Sequence, residues 1–93
     1  MTTSIWKYRL DVADEQIITM PRFAKILTAE LQQGEPSIWV HVDPDERLVP
    51  HSILMVGTGH QREDLVGVDY VGTVQMHGGS LVFHVFDGGE IES

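Results

Sequence analysis

Alternation of apolar and polar residues over short stretches is the feature that most constrains how this chain can fold. Ile38, Val40 and Val42 fall on one face of an extended strand, and Trp39 and His41 fall on the other. The same alternation occurs near the N-terminus, where aromatic and aliphatic residues occupy every second position of residues 6–12. A period of two is typical of half-buried antiparallel strands.

Turn residues divide the chain into segments of strand length. Glycine and proline punctuate the sequence between these segments, and Gly78 and Gly79 supply the positive φ that a hairpin turn needs. There is no internal repeat. The pattern predicts about six strands, in residues 5–12, 16–20, 37–42, 50–56, 69–76 and 80–86. We therefore expect a mainly β fold, either a small antiparallel sheet or a barrel, as a single domain over residues 1–93, with residues 87–93 as a frayed tail.

Residues 21–34 allow two interpretations. Pro21 at the start and Gly34 at the end fit a short helix, as do the alanines and leucines between them. Every second residue from Phe23 to Leu31 fits a strand nearly as well. Propensity slightly favours the helix, whereas the strands predicted on both sides favour a continuous meander.

Size and charge exclude several classes of function. The 93 residues contain 14 acidic and six basic side chains, a net charge of −8, and the whole excess lies in residues 35–93. Non-specific nucleic-acid affinity comes from Lys and Arg neutralising phosphates, so this balance argues against DNA or RNA as partners. No apolar run approaches the length of a membrane span, and the N-terminus lacks the features of a signal peptide. We expect a cytoplasmic protein without a membrane partner.

Catalytic and metal-binding motifs are not evident in the sequence. The serines lie outside any nucleophile elbow, the five histidines form no HExxH pattern, and cysteine is absent. The sequence therefore predicts neither an enzyme nor a cofactor or metal site.

Residues 57–60 form the densest polar motif. Gly57 and Gly59 would let backbone N–H groups approach an anion closely, and Thr58 and His60 would add side-chain donors. The motif lacks the lysine and the spacing of a P-loop. It is either an anion-binding loop or a tight turn that needs two glycines.

The last predicted strand is apolar on both faces. Val82 and Phe86 flank His84 on one face, opposite a face of aliphatic and aromatic residues. A strand of this kind needs a cover on each side. The second cover is either another copy of the chain, which predicts a homo-oligomer, or the helix-like segment of residues 21–34.

Several stretches together resemble a small uncharacterised family of proteins from tailed bacteriophages and prophages. The strongest markers are the GTGH loop at residues 57–60 and LVFHVF at residues 81–86, and YVGT at residues 70–73 also belongs to the resemblance. IWKY at residues 5–8 and IWVHVD at residues 38–43 extend the resemblance over about residues 5–86. Phe23 stands where a glycine is common in that family.

The resemblance implies a non-enzymatic accessory protein in the bacterial host cytoplasm. Small oligomeric phage proteins of this kind include sponges that sequester cyclic nucleotide immune signals, so we expect a small anionic ligand such as a cyclic oligonucleotide. The alternatives are a protein-interaction module that inhibits a host enzyme through its acidic surface, and a hydrolase that uses His60 or His84 as a base. The expected ligand-binding residues are Gly57, Thr58, Gly59 and His60, the aromatic residues Trp39 and Tyr70, and the cations Arg62 and Lys25.

Overall fold

In the computed structural model, which describes residues 2–91, strands account for 63% of the described residues and helix is almost absent among them. This confirms the mainly β prediction, with seven strands instead of six. The strands are β1 (Ser4–Arg9), β2 (Glu15–Pro21), β3 (Lys25–Gln32), β4 (Glu35–Val42), β5 (Leu48–Gly57), β6 (Asp69–Met76) and β7 (Leu81–Glu90). A 3₁₀ turn, His77–Gly79, connects β6 to β7.

The strands form two antiparallel sheets. One has the order β1-β4-β3, and the other has the order β2-β5-β7-β6. Side chains from both sheets share one hydrophobic core, so the two sheets pack face to face as a sandwich. The fully buried side chains at its centre include Met20, Ile38, Val40, Ile53, Val74 and Val85.

Strand β4 confirms the alternation that the sequence predicts. Ile38, Val40 and Val42 are at most 1% exposed and face the other sheet. Trp39 and His41 lie on the outer face, where Trp39 is half-buried and His41 is exposed. The strand therefore separates a core face from a face that is available to ligands.

Residues 21–34 contain a strand, β3 over Lys25–Gln32, as their neighbours favour, and no helix. Strand β3 pairs along β4, and the β2–β3 connection is a tight turn at residues 22–24. Phe23 takes a left-handed φ of +67° in this turn. A left-handed residue in a turn favours glycine, which explains the residue type expected at this position.

The C-terminal segment is ordered further than the sequence predicts. Strand β7 continues to Glu90, because a bulge at Gly88 carries the pairing with β5 past Asp87. A side chain at Gly88 would place its Cβ 2.8 Å from Ser52 Oγ, so only glycine fits this bulge. Residues 87–90 are thus part of the sheet and not a frayed tail; residues 92 and 93 of the predicted tail lie outside the described residues.

The two sheets approach most closely where β3 faces β6. A Cβ added to Gly72 would lie 2.9 Å from the carbonyl oxygen of Ala29, so the backbones of the two sheets meet there without an intervening side chain. We call this contact the seam. Strands β1 and β2 lie at the opposite edges of their sheets.

None of the helical residues described forms a segment of the length and hydropathy that crossing a membrane requires.

Candidate functional site

Four polar side chains form a continuous chain on the outer face of the four-stranded sheet. Thr58 Oγ1 lies 2.7 Å from His84 Nε2, and His84 Nδ1 lies 3.0 Å from Thr73 Oγ1. Thr73 Oγ1 in turn lies 2.6 Å from the Tyr70 hydroxyl. We call these four residues the hydroxyl–imidazole chain. It links residues 57–60, 70–73 and 81–86, which are separate stretches of the sequence.

The pairing of β6 with β7 aligns these side chains. Thr73 is the cross-strand partner of His84, and Tyr70 is the partner of Phe86. A bulge between Tyr70 and Gly72 turns the strand so that Tyr70 and Thr73 share one face despite being three residues apart. The Tyr70 and Phe86 rings meet edge to face, with centroids 5.7 Å apart. Aromatic contact therefore fixes one end of the hydroxyl–imidazole chain.

A tight turn at residues 57–60 brings Thr58 to the other end. The N–H of His60 donates to the carbonyl of Gly57, and Gly59 has a φ of +86°. The N–H of Thr58 donates to the Val82 carbonyl. Both of these amides are used within the fold, so the turn presents the Thr58 hydroxyl and not an array of free amides.

A shallow pocket of about 320 Å³ lies beside Thr58. Its walls come from the turn and from the first residues of β7, and the ring of His60 packs against the Cα of Gly57. The pocket is lined by Gly57, Thr58, His60, Ser80, Leu81, Val82 and Phe83. It offers polar groups on one side and an apolar wall on the other.

Arg62 has a structural position in the loop that follows. Its guanidinium donates to the carbonyls of Met55 and Asp14 and binds both oxygens of Asp64, at 2.9 and 2.7 Å. The hydrogen bond from Arg62 lowers the pKa of Asp64. All the donor groups of this cation that face the protein are engaged, and it does not touch the hydroxyl–imidazole chain.

Trp39 and Lys25 lie on the opposite side of the molecule. Both are on the outer face of the three-stranded sheet, whereas Thr58 and Tyr70 belong to the outer face of the other sheet. The expectation of one pocket lined by all of these residues is therefore not met within a single protomer. The sequence predicts the residues but not which sheet face holds each of them.

A family model described as a domain of unknown function, DUF7352, matches residues 1–92. The chain belongs to this family. Comparison of the DUF7352 chain with curated proteins and with solved structures gave no match.

The sequence predicts His84 of this DUF7352 chain only as the base of the alternative hydrolase, and it does not predict a role for Thr73. His84 shares an outer face with Val82 and Phe86, and the apolar character of that face drew attention to assembly instead. The hairpin glycines predict that β6 and β7 pair, and that pairing places Thr73 opposite His84. The sequence therefore predicts the β6–β7 hairpin, but the contact between Thr73 and His84 depends on the exact register of these two strands.

A second polar pair in the DUF7352 chain is buried between the sheets. His51 is 3% exposed, and its Nε2 lies 2.6 Å from Asp87 Oδ1, which also accepts a hydrogen bond from the N–H of Gly89 at 2.7 Å. Burial raises the pKa of Asp87, but the hydrogen bonds from His51 and Gly89 outweigh it, and the pKa lies below its usual value. This pair ties the start of β5 to the bulge of β7.

Metal ligands do not converge in the described part of the DUF7352 chain. Across residues 2–91, no group of three His, Asp or Glu side chains is placed to hold an ion.

Proposed function

We propose that this protein binds a small nucleotide-type anion without transforming it, and that the ligand contacts the hydroxyl–imidazole chain. The observation that carries the proposal is the continuous hydrogen-bonded series from Thr58 through His84 and Thr73 to Tyr70. It joins three sequence motifs that are distant along the chain. No requirement of the sandwich core explains this arrangement, because all four side chains lie on an outer face.

Hydroxyl and imidazole groups suit a ligand with both donors and acceptors. Each hydroxyl can donate or accept a hydrogen bond, so the series can reorient when a phosphate or a base edge arrives. The Tyr70 ring is 60% exposed and offers a surface on which a base can stack. A hydrogen bond to a charged acceptor contributes more than one to a neutral acceptor, which compensates for the lack of Lys or Arg in this series.

The same geometry favours binding over catalysis. A Thr–His contact of 2.7 Å resembles a nucleophile beside its base. In such sites a carboxylate usually orients the imidazole and stabilises its protonated form. Here the second imidazole nitrogen meets the Thr73 hydroxyl instead, and no carboxylate contacts His84 among the described residues.

A second copy of the chain is the partner that best completes the site. Val82 and Phe86 are half-buried on the same outer face, beside the exposed Tyr70 and Ile17. Packing two copies across this face would cover apolar surface and enclose the ligand, where each polar contact is stronger than in water. The function we propose is therefore that of an oligomeric sponge for a cyclic nucleotide in the cytoplasm of a bacterial host infected by a phage.

Thermal shift with a panel of cyclic di- and trinucleotides tests this proposal. A ligand that binds with a nanomolar Kd should raise the free energy of unfolding by about 4 kcal/mol at a concentration 1,000-fold above Kd. Mass spectrometry of the ligand released on denaturation should then show an unchanged mass. Release of a hydrolysed product would identify the protein as an enzyme and would overturn the proposal.

Thr58→Ala is the variant that locates the site. Loss of one hydrogen bond to a charged acceptor should weaken ligand binding by about tenfold to a hundredfold. Thr19→Ala is the matched control, because Thr19 is an exposed threonine on an outer β2 position. If both variants bind within threefold of the wild type, the loop of residues 57–60 is only a turn.

A protein-interaction module is the second candidate. The acidic segment of residues 63–69 presents Val66, which is 90% exposed. An exposed apolar side chain within an acidic loop is a suitable contact for a basic partner surface. Co-purification of a host enzyme whose binding is lost in Val66→Asp would favour this function.

A further inference from the structure

The outer face of the three-stranded sheet carries three basic side chains around a tryptophan, together with two acidic ones, Glu30 and Glu35. Lys7 and Thr28 are the cross-strand neighbours of Trp39, and Lys25 is the neighbour of His41 in the next row. Lys7, Arg9 and Lys25, half of the Lys and Arg residues of the chain, lie on this one face. In a protein with a net charge of −8, this is the broad sheet face most suited to an anion.

Only part of this positive charge is already used. The ammonium of Lys7 donates to the Gln32 side chain, and Arg9 forms an exposed ion pair with Glu35. Lys25 takes part in no hydrogen bond or ion pair with the residues described by the structure. It is therefore the cation on this face that can bind a phosphate without first giving up a protein partner.

A second aromatic residue stands beyond Lys25 at the end of the same face. Phe23 is 69% exposed and lines a pocket of about 210 Å³ together with Arg22, His41, Asp43 and others. The guanidinium of Arg22 lies 4.5 Å from the centre of the Phe23 ring. Trp39, His41, Lys25 and Phe23 thus form what we call the aromatic strip.

The backbone of Phe23 is strained, and a glycine at the same turn position would avoid that strain. A φ of +67° is unfavourable for a residue with a side chain, and glycine would relieve it. The turn is nevertheless held in place, because the Glu90 carboxylate accepts a hydrogen bond from the N–H of Phe23. A strained aromatic residue that is both exposed and fixed in position points to a contact made by its ring.

We propose that the aromatic strip binds a dinucleotide-type anion. One base stacks on Trp39, the other enters the pocket beside Phe23, and the phosphate between them contacts Lys25. The rows of Trp39 and His41 are about 7 Å apart along β4, a distance that two adjacent unstacked bases can span. This site is separate from the hydroxyl–imidazole chain, which faces the opposite side of the sandwich.

The acidic residues of the pocket determine which base it accepts. Asp43 and Glu46 line the pocket with Phe23. Carboxylates accept hydrogen bonds from the exocyclic amino groups of bases and repel a phosphate. The pocket should therefore prefer the bases that carry an exocyclic amino group, adenine, cytosine and guanine, over uracil, and it should orient the phosphate towards Lys25.

Tryptophan fluorescence of a Trp6→Phe protein tests the proposal, because Trp39 is then the sole tryptophan. The probes are ApA and UpU, each with one linking phosphate, and cyclic di-AMP. ApA should quench Trp39 saturably and bind about tenfold tighter than UpU. Stacking of one base is worth roughly 5- to 150-fold in affinity, so Phe23→Ala should weaken ApA binding within that range. If cyclic di-AMP binds more tightly than ApA, the ligand is a cyclic dinucleotide. If ApA binds more tightly, the ligand is a linear one.

Three variants separate binding at this face from stability and from binding at the opposite face. Phe23→Gly should raise the melting temperature, because it removes the strained φ, yet it should weaken ApA binding; a purely structural turn residue would not show these opposite effects. Lys25→Gln should weaken binding without changing the melting temperature, and Thr58→Ala should leave ApA binding on this face unchanged.

The proposal is overturned if ApA causes no quenching up to about 1 mM, if Phe23→Gly binds as tightly as the parent, or if Thr58→Ala abolishes the quenching. A ten-residue oligonucleotide that binds far more tightly than ApA would also overturn it, since the site would then be an extended single-strand groove.

Discussion

The buried contact between His51 and Asp87 should be one of the largest single polar contributions to the stability of the sandwich. Asp87→Ala removes the only acceptor of His51 Nε2, and the other ring nitrogen of His51 already has no partner within the described structure. Both nitrogens of a ring that is 3% exposed would then lack hydrogen bonds. The N–H of Gly89 would lose its acceptor as well.

Leaving a buried hydrogen-bonding group without its partner typically costs about 1–3 kcal/mol, and more where the partner is charged. The Asp87 side chain is 21% exposed, so water can replace part of the lost contact. We expect Asp87→Ala to lower the free energy of unfolding by about 2–3 kcal/mol. Asp87→Asn keeps an oxygen acceptor of the same shape and should cost only about 1 kcal/mol.

The effect should depend on pH in a defined direction. The pKa of Asp87 is lower in the folded chain than its usual value, so its ionised form stabilises the fold at pH values above the unfolded-state pKa of about 3.9. That stabilisation disappears as the pH falls through the folded-state pKa. The gap between the free energies of unfolding of the wild type and Asp87→Ala should therefore narrow as the pH falls below about 4.

Urea unfolding followed by tryptophan fluorescence measures these differences. Asp11→Ala is the control, because Asp11 is an exposed aspartate whose side chain makes no hydrogen bond in the described residues. A loss below about 0.5 kcal/mol in Asp87→Ala at neutral pH, or a gap that does not narrow in acid, would refute the reasoning.

Two further variants test the seam and the proposed assembly. Gly72→Val should lower the free energy of unfolding by about 1–3 kcal/mol, because its Cβ would lie 2.9 Å from the Ala29 carbonyl oxygen. The backbone at Ala29 cannot move away without separating the sheets. Thermal unfolding that matches the wild type would show that the seam can adapt. Val82→Asp should convert the proposed oligomer to a monomer while the far-UV circular dichroism of the strands persists, since Val82 faces away from the core. Light scattering measures the mass, and a 10.4 kDa species for the unaltered chain would contradict the proposed assembly.

The sequence predicts strands well where the two faces differ in polarity. The alternation of Ile38, Val40 and Val42 with Trp39 and His41 predicts β4 and its orientation correctly. Residues 21–34 were ambiguous because their composition suits a helix, and only pairing with β4 makes them a strand. The tail assignment failed because the Gly88 bulge and the contact of Asp87 with His51 are long-range features that local composition does not encode.

The candidate site was accessible from the sequence only in part. Thr58 and Tyr70 were predicted, and they do belong to one cluster. Its central residue, His84, depends on the register of β6 with β7 and on the bulge after Tyr70. An aromatic residue and a cation such as Trp39 and Lys25 are typical of a nucleotide-binding site. The sheet order β1-β4-β3 nevertheless places both on the sheet opposite the hydroxyl–imidazole chain.

The position of the seam determines where the two sheets can separate. The sheets are held together at β3 and β6, whereas β1 and β2 lie at the edges far from the seam. Trp6 and Tyr8 on the inner face of β1 are only half-buried, as residues near an opening would be. Transient local opening should therefore begin at β1 and β2. The amide hydrogens of these two strands should exchange with solvent sooner than those of β3 and β6. Because the hydroxyl–imidazole chain lies within a single sheet, such opening would leave its geometry unchanged.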